Sequence, residues 1–68
     1  MENWKERLVK EHRELQLKIS KLNAFINSDV FYELSGSDQL LLELQRDTML
    51  SYEKVLFLRI QNIMKGEH

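Results

Sequence analysis

An all-α fold, an antiparallel helical hairpin assembling into a homo-oligomeric bundle, is predicted by three features of the sequence. Two long stretches, about residues 2–26 and 38–65, repeat apolar residues every three or four positions, the period that lines one face of a helix. Between them lies a break rich in Asn, Ser, Asp and Gly, residues that bond their own backbone and favour turns. The second stretch also carries more apolar residues than one partner helix can cover.

Size and composition narrow the classes further. The 68 residues form one domain, 1–68, and so short a chain buries a small fraction of its surface unless disulfides, a metal or a partner help. Cysteine is absent and there are two His, so neither a disulfide framework nor a closed zinc site is expected. Self-association is the remaining common remedy. Ten basic and eleven acidic residues give a net charge of −1, which argues against general nucleic-acid binding. No apolar run reaches the roughly 18 residues of a membrane span, and the charged start lacks a secretory hydrophobic region. A cytoplasmic protein is expected.

In the first helix Trp4, Leu8, Leu15, Ile19, Leu22, Phe25 and Ile26 recur at helical spacing, with charged residues between them. Leu8, Leu15 and Leu22 form a seven-residue row suited to coiled-coil packing. Glu6 before Lys10 and Glu14 before Lys18 are acid-then-base pairs four apart that support an exposed helical face. His12, toward the apolar side, reads as a partly buried polar spacer bonded to a neighbour, ahead of a ligand or pH-sensing role. Trp4 reads as a rim or interface anchor, and His68 as a disordered terminal residue.

The connector should hold one helical turn over about residues 29–34, capped by Ser28 or Asp29, with Phe31 and Leu34 on one side as a plug. Ser37 or Gly36 should cap the second helix, with Asp38 in its first turn and Gly66 as a left-handed stop after Lys65. Within that helix Leu42, Met49, Leu56 and Ile63 form one row, and Leu50, Phe57 and Met64 another about 100° away. Leu41, Leu44, Val55 and Leu58 widen the belt. Leaving it wet would expose a large apolar patch, so Leu42, Met49, Leu50, Leu56, Phe57, Ile63, Met64 and Trp4 are the candidate subunit interface.

Signatures of reaction chemistry are missing: there is no glycine-rich phosphate loop, no HExxH and no cysteine nucleophile. No enzyme, cofactor or metal is expected. The candidate ligand-binding residues are Gln45, Tyr52 and Arg59, spaced by seven beside the apolar row and so projecting alike, about 10.5 Å apart along the axis. Arg59 offers a planar fork to phosphate or carboxylate, Tyr52 a ring and a hydroxyl, Gln45 a polar edge. The same three positions also suit register devices in a packing surface, and both readings stand.

The run from Lys21 to Ile26, then Phe31 and Leu34, then Leu41, Leu42, Gln45, Met49, Tyr52, Leu56, Arg59 and Ile60, resembles a family of small bacteriophage proteins catalogued as related to an open reading frame of a crAss-like phage. The resemblance spans most of the chain, including Arg7 and Glu11 in the charged first helix, and brings no established activity with it. It implies phage origin and an accessory role directed at the host. The layout is also similar to that of phage sponge proteins, which sequester cyclic nucleotide signals of bacterial immunity. The expected partners are therefore further copies of the chain and a nucleotide second messenger. The alternative is a host defence protein, held by the apolar face of the second helix.

Overall fold

The structure, a computed structural model, describes residues 3–66; Glu2, expected to open the first helix, and His68 lie outside the described residues. Two helices, α1 (Trp4–Ile26) and α2 (Gly36–Gly66), pack side by side and are joined by a connector whose centre is a 3₁₀ turn, Asp29–Glu33. The chain forms an antiparallel hairpin measuring 51 × 21 × 15 Å, one helix pair thick. No third layer covers the outer faces of either helix.

Local chemistry sets the boundaries. Asn3 takes extended backbone angles and its Oδ1 accepts the Glu6 amide at 2.9 Å, so the stretch Asn3-Trp4-Lys5-Glu6 starts α1 with an N-cap and an acid in the first turn. At the other end Asn27 Nδ2 donates to the Asn23 carbonyl at 2.9 Å and Ser28 Oγ to the Phe25 carbonyl at 2.6 Å, adding side-chain donors to carbonyls that also accept the Asn27 and Ser28 backbone N–H groups. Ser28 holds the N-cap position of the connector turn without a side-chain cap bond, because its hydroxyl is committed to α1. Ser35, not Ser37 or Gly36, caps α2: its Oγ accepts the Asp38 amide at 3.1 Å. Gly66 is the last residue of α2 and no glycine among the described residues has a positive φ, so the expected left-handed stop is not there.

The connector does act as a plug. Phe31 is buried, with its ring edge-on to Phe25 at 6.4 Å and to Tyr32 at 5.5 Å between centroids, and Leu34 is half-buried beside it. Gln39 Nε2 donates to the Leu34 carbonyl at 2.9 Å, tying the connector to the first turn of α2.

The core is thin: Leu8, Ile19 and Ile26 of α1, Phe31 of the connector, and Leu56 of α2 at 0 % exposure. On α2 the inward seam is Leu42, Arg46, Met49, Glu53, Leu56, Ile60 and Ile63, all buried or half-buried. Leu42, Met49, Leu56 and Ile63 therefore pack within the chain, against α1, and Leu56 has no surface left to give to a subunit interface. Of the expected interface set, Leu50, Phe57, Met64 and Trp4 remain exposed.

With so few buried side chains, each matters. Leu56→Ala should remove about 2–5 kcal/mol, comparable with the whole stability of a chain this size, and abolish a cooperative thermal transition followed by circular dichroism. Leu17→Ala, at 59 % exposure on α1, should change stability by less than about 0.5 kcal/mol.

Candidate functional site

Gln45, Tyr52 and Arg59 form a flank of α2 just outside the hairpin seam, all three exposed. The polar residues that enter the seam are instead Arg46 and Glu53, one position further on. From Leu42 a helix lets either the third or the fourth residue join the same stripe. Rotation toward the fourth half-buries Ile60 in place of Arg59 and carries Glu53 to His12, whose Nε2 lies 2.7 Å from Glu53 Oε1. An ionised carboxylate only accepts, so Nε2 donates and the proton sits there. Both side chains are largely covered, at 14 % and 25 % exposure, which makes this the polar lock of the seam and bears out His12 as a bonded spacer. The Phe57 ring lies alongside, 6.2 Å from that of His12.

One step outward, the Tyr52 hydroxyl donates to Glu11 Oε1 across the helix pair. That bond pushes the phenol above its ordinary range: losing the proton forfeits the bond and sets a phenolate beside a carboxylate. Desolvation adds to the rise, and the nearby Arg59 guanidinium opposes it. Tyr52 is thus a protonated phenol held in one orientation from α1, with a cation close by. Sequence reasoning missed Glu11 as its partner, because the contact joins residues 41 apart. The signal was only that Glu11 and His12 are neighbours on α1, as Tyr52 and Glu53 are on α2.

The flank is not a closed pocket. Gln45 lines a small hollow of about 450 Å³ at the connector end, with Phe25, Leu34, Asp38, Leu41 and Leu42. Neither Tyr52 nor Arg59 reaches it. A larger open trough of about 770 Å³ runs past Val9, Leu17, Ile63 and Met64, and contains none of the three flank residues. Its rim sets Lys5, Lys10 and Arg13 against Glu6 and Glu14, a small local excess of positive charge. Trp4 stands exposed at the start of α1 with the Lys5 ammonium 6.0 Å from its ring. Among the described residues no cluster of three or more His, Asp or Glu is placed to hold a metal ion, and no helix is long and apolar enough to cross a membrane.

A family model described as Sequestin matches residues 2–62, nearly the whole chain. The chain belongs to the Sequestin family. The match takes in both helices and the connector, and is in keeping with the resemblance to a small phage family drawn from the same residues. The name Sequestin fits a sequestering role. No curated protein and no solved structure matches the chain.

Tyr52 gives the flank a measurable signature. Its folded-state pKa lies above the unfolded value near 10, so its contribution to stability is complete below about pH 10 and is lost as the pH rises through the raised value. Alkaline titration followed by phenolate absorbance should show a late-titrating tyrosine that moves down in Glu11→Gln and vanishes in Tyr52→Phe.

Proposed function

We propose that this Sequestin-family chain is a non-enzymatic phage counter-defence protein of the host cytoplasm, which assembles with copies of itself and sequesters a nucleotide signal of bacterial immunity. The observation that carries the reading is the exposed flank of Gln45, Tyr52 and Arg59, with the phenol oriented by Glu11 and the guanidinium beside it. Arg59 would pair with a phosphate, the Tyr52 ring would stack on a base, and Gln45 would bond a polar edge. Net charge near zero means that affinity must come from such local groups and not from a general field. Sequestration needs only binding, with no chemical step.

A second reading, an adaptor or inhibitor that grips a host defence protein, is favoured by the exposed row Leu50, Phe57 and Met64, with Met64 at 67 % exposure. Under it, Phe57→Asp would abolish capture of a host protein, and no nucleotide would raise the Tm of the unaltered chain. Under the first reading, Phe57→Asp leaves sequestration of the nucleotide unchanged.

The test of the first reading is thermal. Cyclic dinucleotides, cyclic trinucleotides and cyclic ADP-ribose isomers are each mixed with the protein. A true ligand at a hundredfold excess over its Kd stabilises by about 2.7 kcal/mol, on the order of ten degrees in Tm. Arg59→Ala should keep the helix content of the free protein and lose the shift. A flat response to every compound removes the proposal.

A further inference from the structure

Much of the outer surface of α2 carries one uncharged row. Leu41, Leu44, Thr48, Ser51, Val55, Leu58 and Asn62 step by three and four over three heptads, all of them exposed and none charged. Leu41, Leu44, Val55 and Leu58 are each about half exposed, at 58, 59, 51 and 47 %. The two hydroxyls in the middle are already satisfied within the helix. Thr48 Oγ1 donates to the Leu44 carbonyl at 2.9 Å, and Ser51 Oγ to the Asp47 carbonyl at 3.1 Å. Burying them leaves no orphaned donor, and their small size lets a second backbone come close.

We infer that this face binds the same face of a second copy, with the two α2 helices antiparallel about a two-fold axis at the level of Met49 and Leu50. The pattern reads alike in both directions about that point. Leu41 meets Leu58 of the second copy, Leu44 meets Val55, and Thr48 meets Ser51, so large residues pack on large ones and small on small. A two-fold interface needs such self-complementarity, because each contact occurs twice.

The edges of the seam settle the direction. In the antiparallel pairing Asp47 faces Lys54 of the second copy and Asp38 faces Arg59 of the second copy, each pair formed twice. A parallel pairing would instead set Lys54 against Arg59 of the second copy, twice, with like charges opposed. Leu50, Phe57 and Met64 stand off this seam, on the side toward α1, and stay clear of the dimer. On the Arg59 edge, Gln45 of one copy comes beside Tyr52 of the other. The polar flank is then composed from both chains.

This deepens the assembly part of the proposed function, and its test uses no nucleotide, so the two can fail separately. Sedimentation equilibrium of the full chain should give a dimer, and Val55→Asp a monomer with unchanged helix content. Lys54→Glu should weaken the dimer about tenfold, and adding Asp47→Lys in the same chain should restore it. The sequence has no cysteine, so singly labelled variants report direction cleanly. On oxidation, Leu41→Cys mixed with Leu58→Cys should crosslink to each other in preference to themselves. A monomeric wild type, a dimer indifferent to Val55→Asp, a dimer tightened by Lys54→Glu, or self-crosslinking of each variant would each overturn the inference.

Discussion

Burial of Leu56 against α1 fixes the rotation of α2, and the rest of the surface follows from that rotation. A helix with apolar residues around most of its circumference has several ways to face a partner, and hydrophobic area alone discriminates poorly among them. Here the choice is pinned by the most completely buried side chain of the hairpin and by the His12 to Glu53 bond at 2.7 Å beside it. A buried or half-buried polar pair that is bonded in only one register makes the alternatives costly, since each would leave a donor or acceptor without a partner. Once the seam is set, Gln45, Tyr52 and Arg59 are turned to one flank, Leu50, Phe57 and Met64 to the other, and Leu41 to Leu58 to the back.

Much of the hairpin was legible in the sequence because its signals are local. The helical period, the Asn27-Ser28-Asp29 break and the Ser35-Gly36-Ser37 break each act over a few residues, and the structure places its elements accordingly. Asn3 carries a cap signal, an Asn three residues before Glu6, whereas the apolar pattern alone places the helix start near residue 2. Ser35, Gly36 and Ser37 are equally good cap candidates on composition, and only the Asp38 amide decides among them. Gly66 invited a left-handed ending that the backbone does not adopt.

The candidate site was legible in its residues and not in its surroundings. Spacing by seven put Gln45, Tyr52 and Arg59 on one line. It could not tell whether that line or the adjacent one, Arg46, Glu53 and Ile60, enters the seam. The deciding contacts, Glu11 to Tyr52 and His12 to Glu53, join residues 41 apart, where no periodicity reaches. The same limit applies to the row Leu42, Met49, Leu56 and Ile63: its period shows that it packs and not against what, and within the chain Leu56 is fully buried while the other three are half-buried.

The flank of Gln45, Tyr52 and Arg59 occupies a border position with energetic consequences. On one side it adjoins α1 through Glu11, and on the other it adjoins the uncharged back face of α2. A ligand held by Arg59 and Tyr52 of one copy and Gln45 of another would bind the dimer better than the monomer. By linkage it would tighten the dimer by the same factor by which dimerisation improves its own binding. Such coupling would suit a sequestering protein, because a chain this thinly packed would gain folded stability from a partner copy and again from a captured ligand. Stability and the proposed assembly and binding would then draw on one helix, whose three faces are separated by the rotation that Leu56 sets.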